Sequence, residues 1–243
     1  MGNPVVHFDI NSSDGEGAQK FYSELFGWHV ENVPEMNYGL VDTHAGQGIN
    51  GGIGEPPDGS TFTTVYVEAD DLQAVLDKAE QLGGKTTMPV SDLGMVVLAM
   101  FSDPQGNMIG LVKSDPTQQG GVSPGSNPPV TWFEIMGSDG NALRDFYSKL
   151  FGWAIAIAPD SAIDYGHLEP QGGKGIGGGI GTFPMGTGGG VTVYAEVKDL
   201  DATLKRAEEL GGKTVVPPMD VSNISFAQFA DPQGNVFGLF KNR

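Results

Sequence analysis

The sequence predicts an α+β fold built from four modules, each with the order strand, helix, strand, strand, strand (βαβββ). Two observations lead to this prediction. The second half of the 243-residue chain repeats the first half in the same order, which is the mark of a duplicated architecture. Within each half, two short β-like runs are each followed by an amphipathic helical pattern and then by further β-like runs. The chain therefore consists of four modules in two pairs.

The internal repeat covers most of the chain and sets its domain organisation. The matched segments are HFDINSSDGEGAQKFYSELFGW (7–28) with WFEIMGSDGNALRDFYSKLFGW (132–153), TVYVEADDLQAVLDKAEQLGGKT (64–86) with TVYAEVKDLDATLKRAEELGGKT (192–214), and FSDPQGNMIGLVK (101–113) with FADPQGNVFGLFK (229–241). Between the halves, residues 114–129 are rich in Pro, Gly, Ser and Gln, as in a flexible or polyproline-like linker. The sequence predicts a first domain over 1–115, a linker over 116–129 and a second domain over 130–243.

The two helices of each half are predicted from apolar residues at helical spacing. In the first helix the recurring residues are Phe21, Tyr22, Leu25 and Phe26, and in the second they are Leu72, Val75, Leu76, Ala79 and Leu82. Ser13 or Asp14 can cap the start of the first helix, and Gly27 can end it. Gly83 and Gly84 close the second helix in the same way.

Short β-like runs surround these helices, and one pair of runs is joined by a recognisable turn. The runs of the first half are VVHFDI, WHVENV, YGLVDT, INGGIG, TTVYVEA, KTTMPV, MVVLAMFS and NMIGLVK. The tetrapeptide DPQG (103–106) has Pro and Gly where a tight turn needs them, so it predicts a hairpin. Asp103 and its repeat Asp231 are interpreted as turn residues.

Composition excludes several classes of function. The formal net charge is −17, which disfavours nucleic acid and anionic membranes as partners, because both are bound through Lys and Arg. There is no cysteine, so disulfides, thiolate nucleophiles and Cys-ligated zinc are ruled out. No apolar run approaches the length of a membrane span, and the N-terminus has no secretory signal pattern. We expect a cytoplasmic protein.

Strand alternation sorts the polar residues of the β-like runs onto one face. In VVHFDI, Val6, Phe8 and Ile10 share the face that packs against the helix, while His7 and Asp9 lie on the other. The residues predicted to face a ligand are His7, Asp9, Thr64, Tyr66, Glu68, Trp132, Glu134, Thr192, Tyr194 and Glu196. Carboxylates, phenols and rings on one face suit a small polar or cationic organic ligand. The alternative is a polar sheet face that is solvated.

The order of these motifs resembles the vicinal oxygen chelate superfamily, which includes glyoxalase I, extradiol dioxygenases and bleomycin-binding proteins. The resemblance rests on a strand carrying HF before FYSELFGW, on helices ending in LGGK, and on a DPxGN hairpin before the last strand. The same order recurs in the second half, where WF precedes FYSKLFGW. It is strongest for the tandem, glyoxalase-related branch. The resemblance implies that two modules pair into a curved, mostly antiparallel sheet around a cavity that holds ligand and usually a metal.

The resemblance also indicates where four metal ligands, typically His and Glu, would lie. In the first half these positions hold His7, Gly51 or Gly52, Thr64 and Gly110, and in the second half Trp132, Gly177 or Gly178, Thr192 and Gly238. Gly110 and Gly238 replace a glutamate of the metal enzymes. Only His7 is a usual ligand, and tight binding needs several. We expect no family-type metal, with a divalent metal at His7 as the alternative.

Three functions follow from these residues. The first is binding of a small polar or aromatic molecule without metal. The second is a lyase or isomerase in which His7, Asp9 and Glu68 are the catalytic acid–base candidates, and the third is a metal-dependent glyoxalase or dioxygenase. The remaining histidines (His29, His44 and His167) have no partner at a recognisable ligand spacing, and His44 and His167 are interpreted as loop residues near a pocket mouth. Modules can pair within one chain or between chains, so a homodimer is an alternative.

Overall fold

The structure, a computed structural model, describes residues 2–33, 36–114, 121–157, 164–183, 189–221 and 223–243. Its elements follow the order βαβββ four times. The predicted α+β fold with four modules is therefore confirmed. No helix among the described residues is long and apolar enough to cross a bilayer.

The first half contains modules 1 and 2. Module 1 consists of β1 (Val5–Asn11), α1 (Gly15–Phe26), β2 (His29–Val33), β3 (Tyr38–Asp42) and β4 (Asn50–Gly54). Module 2 consists of β5 (Phe62–Ala69), α2 (Leu72–Gln81), β6 (Lys85–Asp92), β7 (Val97–Ser102) and β8 (Met108–Lys113). The DPQG turn predicted at 103–106 joins β7 to β8, and the two strands pair antiparallel.

The second half contains modules 3 and 4 in the same order. Module 3 consists of β9 (Val130–Gly137), α3 (Gly140–Phe151), β10 (Ile155–Ile157), β11 (Tyr165–Leu168) and β12 (Gly177–Thr182). Module 4 consists of β13 (Gly190–Glu196), α4 (Leu200–Glu209), β14 (Lys213–Val221), β15 (Ile224–Ala230) and β16 (Val236–Asn242).

The strands form two eight-stranded sheets, one from each half. The strand orders are β2-β3-β4-β1-β5-β8-β7-β6 and β10-β11-β12-β9-β13-β16-β15-β14. The hairpins are antiparallel, whereas β5 pairs with β8, β13 with β16 and β12 with β9 in parallel. In each of these parallel pairs a helix and two further strands connect the paired strands, which provides the long crossover that parallel pairing requires.

Contacts between Cα atoms divide the chain into two compact units, each built from both halves of the sequence. The first unit contains Met1–His7, Thr64–Gly120 and Trp132–Val191, so it combines module 2 with module 3. The second unit contains Phe8–Thr63, Gly121–Thr131 and Thr192–Arg243, so it combines module 1 with module 4. The bounds of the two sequence domains stay a prediction.

The core of the first unit contains an aromatic cluster formed by helix α3, the tryptophan that follows it and strand β7. Tyr147 stacks on Trp153 with ring centroids 5.8 Å apart, and Phe151 lies 4.8 Å from the same indole. Phe101 of β7 contacts Phe151 at 6.4 Å. Because these rings come from modules 2 and 3, burial of their apolar surface is what joins the two modules.

The core of the second unit repeats this cluster with modules 1 and 4. Tyr22 stacks on Trp28 at 6.2 Å, and Phe26 lies 4.6 Å from that indole. Phe237 of β16 contacts both Tyr22 and Phe26 at 5.5 Å. The FYSELFGW motif and its repeat are therefore core motifs, in which the helix and the tryptophan after it pack as one block.

Helix α1 begins and ends at the residues expected from its sequence. The Asp14 carboxylate accepts a hydrogen bond from the Gly17 backbone N–H at 2.9 Å, which satisfies one of the free donors of the first turn. Gly27 ends the helix with φ of 74°, a left-handed conformation that glycine adopts without strain.

Part of the predicted linker is held by hydrogen bonds in the second unit. The Trp28 indole N–H donates to the Pro128 carbonyl at 2.9 Å, and the Asn127 amide donates to the Gly27 carbonyl at 2.8 Å. Ser123 donates its hydroxyl hydrogen to Asp42. Residues 121–129 therefore lie against module 1, while the linker residues 116–120 fall outside the described residues.

Candidate functional site

The helices cover one face of each sheet, and the opposite face, which we call the open face, holds the polar residues. Val65 and Val67 of β5 are fully buried, whereas Tyr66 and Glu68 alternate with them and point to the open face. On β8, which pairs with β5, Gly110 is the direct partner of Tyr66.

Each of the two glycines at the glutamate position lies beneath a tyrosine ring. A Cβ atom added to Gly110 would overlap the Cδ1 and Cε1 atoms of Tyr66, and one added to Gly238 would overlap the same atoms of Tyr194. Both phenol rings are nearly inaccessible, Tyr66 at 8% and Tyr194 at 4% exposure. Glycine in these strands is therefore required by a close approach of a side chain from the neighbouring strand.

In modules 1 and 3 a tyrosine ring also lies over a glycine, but the two residues come from the third and fourth strands of the module. The Tyr38 ring of β3 lies over Gly52 of β4, and the Tyr165 ring of β11 lies over Gly179 of β12. The glycine-rich strands GGIG and GGGIG thus provide the backbone surface against which these rings pack. Tyrosine rings cover the open face in all four modules.

The open face of module 3 carries a connected group of three aromatic rings and a carboxylate, which we call the Trp132 cluster (Trp132, Glu134, Tyr165 and His167). The Trp132 indole N–H donates to the Tyr165 hydroxyl oxygen at 3.1 Å, and the Tyr165 hydroxyl donates to Glu134 at 2.8 Å. The His167 ring lies 5.7 Å from the Trp132 ring and 5.1 Å from the Tyr165 ring. All four residues belong to the first unit.

Electrostatics keep the central phenol of this cluster neutral. Burial raises the pKa of Tyr165 well above its usual value, and the negative charge of Glu134 raises it further. Tyr165 therefore stays a hydrogen-bond donor to the carboxylate above the pH at which an ordinary tyrosine ionises. Strand alternation predicts Trp132 and Glu134 on this face but does not identify Tyr165, and His167, expected in a loop, lies in strand β11. Their alternation with Gly166 and Leu168 in the short strand β11 is the signal that could have revealed them.

Asp9 in module 1 is more enclosed than its repeat Glu134. It is 6% exposed, and it accepts a hydrogen bond from the Tyr38 hydroxyl at 2.5 Å. The Tyr38 hydroxyl is the counterpart of the Tyr165 hydroxyl in module 3.

His7, the expected first-strand ligand, packs against an aromatic ring. Its imidazole lies edge-on to the Tyr66 ring, with centroids 5.6 Å apart, in the first unit. Thr64, the next position of the expected ligand set, is fully buried, and its hydroxyl donates to the Met108 carbonyl at 2.7 Å. Thr192, the repeat of Thr64, is half-buried.

The two carboxylates at the ends of β5 and β13 have different partners. Glu68 forms an ion pair with Lys174 in the first unit, and its side chain is 19% exposed. Glu196 accepts a hydrogen bond from the neutral Asn242 amide at 2.7 Å in the second unit. The repeat therefore conserves the carboxylate but not its charge environment.

The remaining histidines of the second unit lie near one another. The His29 and His44 rings are 5.8 Å apart, and His44 Nε2 lies 3.5 Å from Asp42. Within the described residues, no group of three or more His, Asp or Glu side chains is arranged to hold a metal ion.

Comparison with known proteins gives matches over both halves. Residues 5–111 match the model of the glyoxalase/bleomycin resistance protein/dioxygenase superfamily, and residues 133–240 match that of a glyoxalase-like domain.

Full-length relatives and solved structures agree with these matches. The chain is 30% identical to the anthracycline biosynthesis protein DnrV of Streptomyces peucetius, over 97% of this chain and 92% of that one. It is 27% identical to CFP32 of Mycobacterium tuberculosis, provisionally named a glyoxylase, over 96% of this chain and 92% of that one. The Mn(II)-bound glyoxalase from Novosphingobium aromaticivorans superposes with a TM-score of 0.69 at 13% identity, over 99% of this chain and 82% of that one.

Proposed function

The chain belongs to the glyoxalase/bleomycin resistance protein/dioxygenase superfamily as two tandem domains, and we propose that it binds a small polar or aromatic molecule on the open face of its sheets without the family's metal. The observation behind this proposal is the pair of tyrosine rings that lie over Gly110 and Gly238. Solved relatives of this fold include a Mn(II)-bound glyoxalase, so the metal has to be tested against the residues present.

The residues at the family's ligand positions do not fit a metal site. Gly110 and Gly238 have no donor atoms, and a longer side chain at either position would collide with the tyrosine ring above it. The Thr64 hydroxyl is already used by the Met108 carbonyl. Trp132 stands at the place of His7 and its indole nitrogen is a donor only. Divalent metals need several donor atoms that converge, and these positions supply at most one.

The same open face suits an organic ligand. The Trp132 cluster offers the half-buried rings of Trp132 and Tyr165 and the exposed ring of His167, and a carboxylate that accepts a hydrogen bond from Tyr165 and is positioned by it. Such a face can stack on a flat molecule and accept hydrogen bonds from its edge. A relative is named for anthracycline biosynthesis, which favours an aromatic ligand.

Trp132 provides a direct readout of binding. Of the three tryptophans, Trp28 and Trp153 are each 2% exposed, so Trp132 is the one that solvent and ligand reach. Titration with basic and aromatic small molecules should change the fluorescence of the wild type and leave that of Trp132→Phe unchanged. Protein purified without chelators should contain substoichiometric metal by elemental analysis. One tightly bound divalent ion per chain, or no ligand detected by Trp132 fluorescence or calorimetry, would overturn the proposal.

A second candidate, a lyase or isomerase, is favoured by one observation. Asp9 is buried and accepts a 2.5 Å hydrogen bond from Tyr38, which is an arrangement able to exchange a proton with a ligand. Glu68 is less suited to this role because Lys174 pairs with it. If this candidate is right, Asp9→Asn and His7→Ala should abolish turnover of a bound substrate while binding and folding persist.

A further inference from the structure

Two cross-strand rows of side chains on the open face of module 4 define a second surface, which lies wholly in the second unit. In one row, Glu196 of β13 is paired with Phe240 of β16, Phe240 with Phe226 of β15, and Phe226 with Met219 of β14. Paired residues on adjacent strands project to the same face. We call this row the Phe240 lane (Glu196, Phe240, Phe226 and Met219).

Apart from Glu196, the side chains of the Phe240 lane are apolar, and they are at least partly accessible. Met219 is 50% exposed, and Phe240 and Phe226 are half-buried. Adjacent strands are about 4.8 Å apart, so a row across four strands extends over roughly 14 Å. That length and the two neighbouring aromatic rings match a flat, fused-ring body, which stacks on phenylalanine more favourably than a flexible chain does.

The neighbouring row supplies a fixed polar group beside the lane. Tyr194 is paired with Gly238 and Gly238 with Gln228, and the Gln228 amide donates to the Tyr194 hydroxyl at 2.6 Å. This hydrogen bond spans the glycine between the two strands. The Tyr194 ring therefore lies against Gly238.

The head of the lane carries a negative charge that the described residues do not neutralise. Asn242 donates to one carboxylate oxygen of Glu196, and no Lys, Arg or His among the described residues forms an ion pair with this group. A carboxylate next to an aromatic surface is the combination that recognises a protonated amine, through a charge-assisted hydrogen bond and a cation–π contact. The negative charge of Glu196 thus favours a ligand that carries a protonated amine.

The equivalent surface of module 2 is an internal control, and it lacks both features. Its row consists of Glu68, Val112, Leu98 and Ser91, so aliphatic and hydroxyl side chains stand where the Phe240 lane has two phenylalanines and a methionine. In addition, Lys174 forms an ion pair with the carboxylate of Glu68. The corresponding loop residue of the other half is the uncharged Gln47.

We propose that the Phe240 lane is a binding site for a protonated amine attached to a fused-ring aromatic body, and that the module 2 surface is not. The proposal rests on the proposed binding of small molecules and, in addition to the Trp132 cluster, specifies a second surface and the ligand class that it takes. Glu196 receives the ammonium group, and Phe240 and Phe226 stack against the rings.

Two probes that differ only in charge test this assignment: 1-pyrenemethylamine, which is protonated at neutral pH, and 1-pyrenemethanol, which is neutral. Fluorescence anisotropy with the full chain measures the affinity of each. The amine should bind wild type roughly tenfold or more tightly than the alcohol, the gain expected of one charge-assisted contact. Glu196→Gln should remove that difference and leave the affinity for the alcohol within about twofold.

Matched variants separate the lane from other surfaces. Glu68→Gln should leave the preference for the amine unchanged, whereas Phe240→Leu should weaken both probes. Unfolding midpoints in urea check that each variant is folded.

Equal affinity of wild type for amine and alcohol would overturn the assignment but leave the proposed small-molecule binding standing. If Glu68→Gln abolishes the preference for the amine over the alcohol and Glu196→Gln does not, the amine binds at module 2. That result would also overturn the assignment to the Phe240 lane. Failure of both probes to bind would overturn it and also count against the proposed function.

Discussion

At the scale of single residues, the placement of tyrosine against glycine determines what the open face can do. Glycines inside apolar strands are visible in the sequence, and their correspondence to a metal-ligand position follows from the family resemblance. Strand alternation places Tyr66 and Tyr194 on the ligand-facing side of their strands, but it does not predict their contact with Gly110 and Gly238. Tyr66 and Gly110 are brought together only by parallel pairing of β5 with β8, which local patterns do not encode.

Alanine at either glycine should be costly because the added methyl group meets a ring rather than solvent. We expect Gly110→Ala and Gly238→Ala to lower the free energy of unfolding by about 1–3 kcal/mol, the usual cost of overpacking a well-packed site. Urea denaturation measures the change. Gly121→Ala is the control, because nothing lies near a Cβ at that position and its φ is unstrained.

A double-mutant cycle tests whether the Tyr66 ring is the cause of the destabilisation expected for Gly110→Ala. In a Tyr66→Ala background, Gly110→Ala should cost much less, since the ring that it displaces is gone. Equal costs in both backgrounds would mean that Tyr66 is not the reason for the glycine.

At the scale of elements, the DPQGN turn connects modules as well as strands. Asp103 accepts hydrogen bonds from the backbone N–H groups of Gln105 and Asn107, as a turn residue should. Its other oxygen accepts from the Tyr147 hydroxyl of α3 at 2.9 Å. The sequence predicted the turn correctly, because Asp, Pro and Gly are local signals. The tie to α3 could not be predicted, because it depends on how module 3 packs on module 2.

Removal of this tie should destabilise the chain more than a turn residue alone would. Tyr147→Phe removes a buried hydrogen bond to a carboxylate and should lower the free energy of unfolding by about 1.5–3 kcal/mol. Tyr22→Phe should have a similar effect, because Tyr22 donates to Asp231 at 3.2 Å in the second unit. Urea denaturation is again the measurement. A change below about 0.5 kcal/mol in both variants would contradict a joining role for these aspartates.

At the scale of the whole molecule, three phenols give stability a dependence on alkaline pH. Burial raises the pKa of Tyr22, Tyr147 and Tyr165, and a nearby carboxylate raises each further. The unfolded chain releases these protons near pH 10, whereas the folded chain retains them. Stability from this source is therefore complete below about pH 10 and declines as the pH rises above it.

Absorbance of phenolate at 295 nm should show this directly. Tyr22, Tyr147 and Tyr165 are expected to resist ionisation until the protein unfolds, and the urea midpoint should fall as the pH rises above about 10. The decline should be shallower in Tyr147→Phe than in wild type. Ionisation of all six tyrosines near pH 10 with native near-ultraviolet dichroism would contradict the expected shifts.

The largest feature that sequence patterns left open is how the modules share their cores. Repeats and turn signals gave four modules and their order, since these depend on local periodicity. Each compact unit, however, combines one module of each half. In the first unit, the Trp153 indole N–H donates to the Asn3 carbonyl at 2.9 Å, and α2 contacts α3. Such contacts join residues far apart in the chain, so only tertiary packing determines them.

Cleavage between the halves should therefore not separate them. With a protease site inserted after residue 113, the cut protein should elute in gel filtration as one species and keep its near-ultraviolet dichroism, because each aromatic core needs rings from both halves. Residues 1–113 expressed alone should bind a hydrophobic dye, since Phe101 loses Phe146 and Phe151, its partners from the second half. Two separate, folded halves after cleavage would show that each half folds on its own, contrary to this expectation.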